Sequence, residues 1–312
     1  MLPIFESILP IFLLILAGSA LSRVPVLDRS VWEGLERVSY WVLYPTLLFS
    51  TILHADMSSL TLDAMLLALF ISITVMGALV MALWPLFRVT GTATSGEFSS
   101  IFQTSMRWNG FVALAVAQKL YPPEASAVVA LVMAAIIIPL NISSVAVVLR
   151  FGAGDADWRR ILFAMATNPL ILGVAAGIAF RFIPGGLYAP LSETVHLLGS
   201  AAIGTGLLAI GSGLRPADAL KPRFAMLVPL TLKLAVFPAL LVGVALAFGV
   251  SGQQLVYLAL CGAVPTAMNG YVLARQLGGD AEFYAAETTL QTGVAFLTMP
   301  IVLGIAAQLA SG

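Results

Sequence analysis

Long apolar segments, each ended by glycine, proline or charged residues, follow one another along the whole chain. A helix that spans a bilayer needs roughly 20 consecutive apolar residues. The pattern predicts ten such helices, which cover residues 3–22, 31–53, 62–87, 98–119, 124–149, 161–181, 188–213, 224–249, 254–277 and 281–309. The connections between them are short and polar. We therefore predict an all-α membrane protein with ten transmembrane helices.

Composition agrees with that class and excludes others. The chain has 312 residues, of which 60% are hydrophobic and only 10% are charged, whereas a soluble domain carries about 25% charged residues. Fifteen Lys and Arg balance 15 Asp and Glu, so no basic surface for nucleic acid is expected. The single cysteine, Cys261, has no internal disulfide partner. Ten spans use almost the whole chain, which leaves no sizeable aqueous domain.

The distribution of cationic residues predicts the orientation. Loops after the odd-numbered helices, with the adjoining helix ends, hold 11 of the 15 Lys and Arg residues, and loops after the even-numbered helices hold two, Lys119 and Arg181. Cationic loops stay in the cytoplasm, so both termini are expected outside. The N-terminal segment has Glu6 where a signal peptide has positive charge. We expect it to remain as the first span.

The chain repeats itself at an offset near 160 residues. Pro10 and Ala17-Gly18 match Pro169 and Ala176-Gly177 at 159, and Asn109-Gly110 matches Asn269-Gly270 at 160. The two copies are predicted to be residues 1–155 and 156–312. Because each copy holds five helices, an odd number, the second enters the membrane from the opposite face. Inverted repeats of this kind are typical of secondary transporters, whose substrate sites lie near the midplane.

The repeated Asn-Gly pair predicts two discontinuous helices. Glycine weakens a helix by roughly 1 kcal/mol relative to alanine, and broken backbone inside a membrane is tolerated where it lines a cavity. Pro265 adds a second helix breaker in the ninth span, whereas Ser105 occupies the corresponding place in the fourth. The second half-helix of each span would direct its N-terminal N–H groups at an anion. The alternative is that both helices are only kinked and packed by small residues.

Two cations lie inside predicted spans. Arg107 is two residues from the fourth-span Asn-Gly and about ten from either helix end, and an arginine at the centre of a span costs roughly 2.5–3.5 kcal/mol unless it has a partner or a polar cavity. It is a candidate ligand for a substrate carboxylate, with a structural ion pair as the alternative. Gln103 and Ser105 are expected to line the same cavity or to form interhelical hydrogen bonds. Lys233 in the eighth span is a weaker candidate.

Coupling to an ion requires a group that can bind it within the spans. Glu287 and Gln291 in the tenth span are candidates for proton or sodium coupling, together with Lys233, and an interfacial carboxylate is the alternative for Glu287. The two histidines, His54 and His196, are in different spans without the spacing of metal ligands. No catalytic residue, metal site or cofactor is predicted.

Two of these segments resemble the auxin efflux carrier family, specifically its bacterial members. They are the fourth-span run RWNGFVALA (residues 107–115) and the ninth-span run PTAMNGYVLARQLGGD (residues 265–280). The resemblance covers all ten spans, and the ninth-span run is the more specific element. Many members have a proline after the fourth-span asparagine, where this chain has Ala113, Leu114 and Ala115.

The resemblance implies a fold shared with bile acid symporters and sodium/proton antiporters. Helices 1, 2, 6 and 7 would form a scaffold, helices 3–5 and 8–10 a transport domain, and the discontinuous helices 4 and 9 would cross. It also implies transport of small organic anions, including dicarboxylates such as malonate or malate, by an elevator-like movement. The expected setting is the lipid of a bacterial inner membrane, with the protein as a homodimer.

Together these features predict a secondary transporter of small carboxylates. Arg107, Asn109, Gly110, Asn269, Gly270, Pro265, Ser105 and Gln103 are the predicted substrate-binding residues. The alternative of the same fold is a sodium-coupled organic-anion symporter or a cation/proton antiporter. An intramembrane enzyme would need a catalytic dyad or metal triad, which the spans do not provide, and a channel is the remaining alternative.

Overall fold

Helices joined by turns and bends make up the computed structural model, as the apolar pattern predicts. It describes residues 2–56, 58, 60–152, 159, 162, 163, 166–184, 186–219 and 222–311. The helices of these ranges are α1 (Leu2–Leu21), α2 (Arg29–Val38), α3 (Tyr44–His54), α4 (Leu62–Ala82), α5 (Trp84–Thr90), α6 (Ser95–Met106), α7 (Gly110–Leu120), α8 (Pro123–Phe151), α9 (Pro169–Phe180), α10 (Ala189–Ser212), α11 (Pro216–Ala219), α12 (Phe224–Thr231), α13 (Phe237–Ala247), α14 (Gly252–Ala263), α15 (Asn269–Gln276) and α16 (Ala281–Ser311). Two π-helical turns, Ser39–Leu43 and Leu232–Val236, join α2 to α3 and α12 to α13.

Six segments of the described ranges are long and apolar enough to cross a membrane. They are Ile4–Leu21, Leu62–Thr90, Pro123–Phe151, Ala189–Ser212, Phe224–Ala247 and Ala281–Ser311. These correspond to the first, third, fifth, seventh, eighth and tenth predicted spans. These helices fit a multi-pass membrane protein, and four of the ten predicted spans have a different form.

Each of the four exceptions has a local cause. The second span begins with α2, a charged amphipathic helix with no buried residue, and it contains a π-helical turn. The fourth and ninth are interrupted, as described below. The sixth is only 12 residues long in α9, because the side chain of Asn168 accepts from the N–H of Leu170 at 2.9 Å and caps the helix there. The predicted start at 161 and the repeat boundary at 155/156 lie outside the described residues.

Glycines bring the first and seventh spans into close contact. α1 packs along α10, and α3 packs against both α9 and α10. A Cβ added at Gly211 of α10 would overlap the carbonyl oxygen of Ile15, and one at Gly18 of α1 would overlap that of Leu208. Small residues permit this approach of helix backbones in a membrane, where packing replaces the hydrophobic effect between helices.

We expect Gly211→Ala to lower the thermal unfolding midpoint of the purified protein. The added methyl forces two helix backbones apart, and overpacking of this kind costs roughly 1–3 kcal/mol. Gly204 on the same helix provides the matched control, because an added Cβ there meets nothing within 4 Å. Equal midpoints for Gly211→Ala and Gly204→Ala would contradict the close packing.

The other spans pack around the two interrupted helices. α14 packs against α16 and α13, α13 against α4, and α8 against α6 and α7. At the start of α6, the Glu97 carboxylate binds the Arg223 guanidinium at 2.5 Å and accepts from the N–H of Thr94 at 2.7 Å. Burial raises the pKa of Glu97, but the hydrogen bond from Thr94 and the charge of Arg223 outweigh it and lower the pKa below its ordinary value. This ion pair fixes the ends of α6 and α12 together.

Candidate substrate-binding site

Two interruptions of the helices meet inside the protein. α6 ends at Met106 and α7 begins at Gly110, with residues 107–109 extended between them, and a second interruption separates α14 from α15. The backbone N–H of Asn109 in the first donates to the carbonyl oxygen of Pro265 in the second at 2.7 Å. The fourth-span helix is therefore interrupted without a proline, as the Asn-Gly pair predicts.

The two repeated asparagines have different roles at these interruptions. Asn109 is buried, and its side chain caps α7 by accepting from the N–H of Val112 at 3.2 Å. Asn269 is the first residue of α15, is exposed, and accepts from Arg107 instead. The difference follows from the sequence, because the position equivalent to Arg107 in the second copy is Ala267.

Arg107 is a buried cation held only by neutral oxygens. It is 6% exposed, and its Nη1 and Nη2 donate to Oδ1 of Asn269 at 3.3 Å and of Asn141 at 2.9 Å. Its Nε has no hydrogen-bond partner. Among the described residues, no carboxylate lies within ion-pair distance of it. A buried charge is costly unless it is compensated, so this guanidinium is a candidate ligand for an anion.

A cavity of about 80 Å³ opens beside this guanidinium. At roughly 10–15 Å³ for each water by the same measure, it holds about five to eight non-hydrogen atoms, the size of a small carboxylate. Its wall consists of Arg107, Trp108, Gly110, Phe111, Met133, Ile136, Ile137, Leu140, Asn141, Leu170, Ala267 and Asn269. The wall is thus mainly apolar, with one cation and two amides.

The N-terminus of α7 contributes to the same wall. The first backbone hydrogen bond of this helix runs from the N–H of Ala113 to the carbonyl of Asn109, so the N–H groups of Gly110 and Phe111 precede the helical ladder. Such groups carry the positive end of the helix dipole. The ring of Phe111 stacks on Tyr44 of α3, with 3.6 Å between ring centroids. An anion in the cavity would therefore meet positive potential from the helix as well as from Arg107.

The predicted substrate-binding residues divide into two groups. Arg107, Gly110 and Asn269 line the cavity. The others are not part of its wall. Asn109 and Pro265 join the two interruptions, and Ser105 donates to Ile101 in its own helix at 2.7 Å. Gln103 is buried with both side-chain amide atoms unpartnered, and Gly270 packs beneath Tyr284.

Asn141 is a site residue that the sequence reasoning missed. It lies within α8, two residues after Pro139, and follows a long apolar run. A polar amide in the middle of a membrane span usually faces a partner or a cavity, and this signal would have found it.

The three coupling candidates are also fully buried. Glu287 and Gln291 lie on α16, and the Gln291 side chain bridges the carboxylate, the last turn of α6 and the second interruption. Lys233 lies in the second π-helical turn, where its Nζ is 3.4 Å from the carbonyl oxygen of Gly262 and 4.4 Å from the ring centroid of Phe237. Within the described part of the chain, neither Glu287 nor Lys233 forms an ion pair with a group of opposite charge.

Comparison with known proteins finds a family match in the second half of the chain. Residues 156–303 match the family described as membrane transport protein. No curated protein matches the chain. The matched segment contains α15 with Asn269, the interruption before it, and the carboxylate of Glu287.

Proposed function

Because the chain belongs to the auxin efflux carrier family of membrane transport proteins, we propose that it is a secondary transporter of small organic anions. The observation that carries this proposal is the buried guanidinium of Arg107, which borders a cavity and has only amide oxygens as partners. A carboxylate placed there gains two charge-assisted hydrogen bonds in a geometry that suits a guanidinium.

The cavity supports a small carboxylate as the substrate. The anion would lie between Arg107 and the N-terminus of α7, with the amide groups of Asn141 and Asn269 on either side. Its volume of about 80 Å³ suits acids of the size of pyruvate and malonate. The apolar wall would contact the carbon skeleton and exclude water from the pair of charges.

We propose alternating access by an elevator-like movement as the mechanism. In this scheme the fourth and ninth spans cross at their interruptions and move with the third, fifth, eighth and tenth as one transport domain. The packing of α1, α3, α9 and α10 on one another supports a separate scaffold. Leu170 of α9 and Tyr44 of α3 contribute the scaffold side of the site, through the cavity wall and the stack on Phe111. Movement along this boundary would expose Arg107 to each side in turn.

A substrate screen in proteoliposomes tests the proposal. We expect labelled pyruvate, malonate or malate to be taken up saturably by the purified protein, and we expect a labelled cationic amine of similar size to be excluded. Uptake should proceed in sodium-free buffer. A strict requirement for sodium would favour the sodium-coupled symporter, and sodium/proton exchange without carboxylate uptake would favour the antiporter.

A further inference from the structure

A buried carboxyl group lies close to the interruptions but outside the cavity wall. The carboxyl group of Glu287 on α16 is fully buried. Its Oε1 accepts from the Nε2 of Gln291 at 2.8 Å, and its Oε2 is buried with no hydrogen-bond partner. One oxygen of this side chain is therefore open to a ligand that the protein itself does not supply.

No positive group of the described residues neutralises this carboxyl. Arg107 is engaged by the two amides of the cavity, and Lys233 by the carbonyl of Gly262 and the ring of Phe237. Tyr284, one turn earlier on α16, donates to the carbonyl of Ala267 at 2.5 Å. Among the residues whose side chains the structure describes, the other ionisable groups on helices packed against α16 also make no ion pair or hydrogen bond with Glu287: Glu6, Glu97, Tyr257, Cys261, Tyr271 and Arg275.

Gln291 links this carboxyl to the end of α6 and to the second interruption. Besides Glu287, its Nε2 donates to the carbonyl oxygen of Thr104 at 3.2 Å, and its Oε1 accepts from the N–H of Thr266 at 3.0 Å. Thr104 precedes Arg107 by three residues, and Thr266 precedes Asn269 by three. A change at Glu287 therefore reaches the two segments that hold the anion site.

We propose that Glu287 is the proton-binding site of this transporter, and that one proton moves with each singly charged carboxylate bound at Arg107. The proposal rests on the proposed function and adds the coupling ion and its ratio. An ionised carboxylate with an unpartnered oxygen is far more costly to bury than the neutral acid. A proton on Oε2 removes that charge and leaves the hydrogen bond from Gln291 to Oε1 intact.

Charge balance explains why the proton and the anion would move together. A singly charged anion lowers the charge of the moving domain by one unit, and a proton on Glu287 raises it by one. Binding of both leaves the domain with the same charge as the empty carrier, whatever the charge of Lys233, which is common to both forms. Either ligand alone changes a buried charge, which costs several kcal/mol. The half-loaded forms would therefore stay on one side of the membrane.

The test compares Glu287→Gln with Glu282→Gln in proteoliposomes, using labelled pyruvate as the singly charged probe. Glutamine resembles the protonated acid and keeps an acceptor for Gln291, so folding should be retained. Glu282 is an exposed carboxylate at the start of the same helix and serves as the matched control. Counterflow measures exchange, which needs no release of the proton, and an inward proton gradient measures coupled accumulation.

We expect the wild type and Glu282→Gln to accumulate pyruvate at least tenfold more with the gradient than without it. Glu287→Gln should lose this response and still show counterflow. A pH-sensitive dye inside the vesicles should report one proton for each pyruvate taken up by the wild type. The proposal is overturned by gradient-driven accumulation in Glu287→Gln, by transport of malonate but not pyruvate, or by a ratio near zero in the wild type. Absence of counterflow of every carboxylate in the wild type would instead reject the proposed function.

Discussion

Replacement of Arg107 by glutamine is expected to lower carboxylate transport about 30-fold or more while the protein remains folded. Truncation of one partner of a desolvated charge pair costs roughly 2–5 kcal/mol, and 1.4 kcal/mol corresponds to a factor of ten in binding. The empty protein does not lose an ion pair in this variant, because Arg107 has only amide partners in the described structure. The thermal midpoint should therefore stay the same or rise, and the loss should appear in uptake and in substrate binding.

Two further variants define what Arg107 contributes. Arg107→Lys keeps the charge but not the fork that reaches Asn141 and Asn269 together, so intermediate transport is expected. Arg88→Gln removes an exposed cation on α5 and controls for a general effect of charge. Uptake in Arg107→Gln within a few-fold of the wild type would exclude Arg107 from the substrate site.

Replacement of Gly270 by alanine is expected to abolish transport by displacing the second interruption. A Cβ at this position would overlap the phenol of Tyr284, which is fully buried and donates to the carbonyl of Ala267 at 2.5 Å. The ring cannot retreat without loss of that hydrogen bond, so α15 must move, and Asn269 moves with it. The cost of such overpacking is roughly 1–3 kcal/mol. Uptake and the thermal midpoint should both fall.

Gly110→Ala is the matched comparison, because Gly110 holds the equivalent position in the first copy. The three atoms nearest to the added Cβ all belong to the flexible side chain of Met133, with Cγ and the sulfur at 2.8 Å. The thioether can adopt another rotamer at small cost, so a clearly smaller loss of stability is expected than for Gly270→Ala. Equal thermal midpoints for the two variants would contradict the role assigned to Tyr284.

Several features of the fold follow directly from the chain. Apolar length alone is sufficient to find the six long segments. A helix in lipid must make all its backbone hydrogen bonds internally, so it appears in the sequence as one long apolar run. The interruption at residues 107–109 was predicted from Asn-Gly, and the structure confirms it: Asn109 caps α7 with its own side chain. The sixth span was predicted too long because Asn168-Pro169 reads as part of an apolar run, although a capping asparagine followed by proline is a helix start.

The details of the site depend on tertiary packing and could not be predicted from the sequence. Sequence offset makes Asn109 and Asn269 equivalent, yet one caps a helix and the other binds Arg107, because their surroundings differ at position 107 and its counterpart Ala267. Asn141 could reach Arg107 only through the packing of α8 against α6 and α7. The bridge from Gln291 to Thr104 joins residues 187 positions apart, and no local pattern in the chain encodes it.

The most direct test of the central claim is counterflow of a small carboxylate by the purified wild-type protein. Vesicles are loaded with unlabelled pyruvate or malonate and diluted into a trace of the labelled compound. Alternating access around Arg107 predicts a transient accumulation of label above its equilibrium level, which is absent in Arg107→Gln. Equilibration without an overshoot for either compound, at the same rate in wild type and variant, would contradict the account.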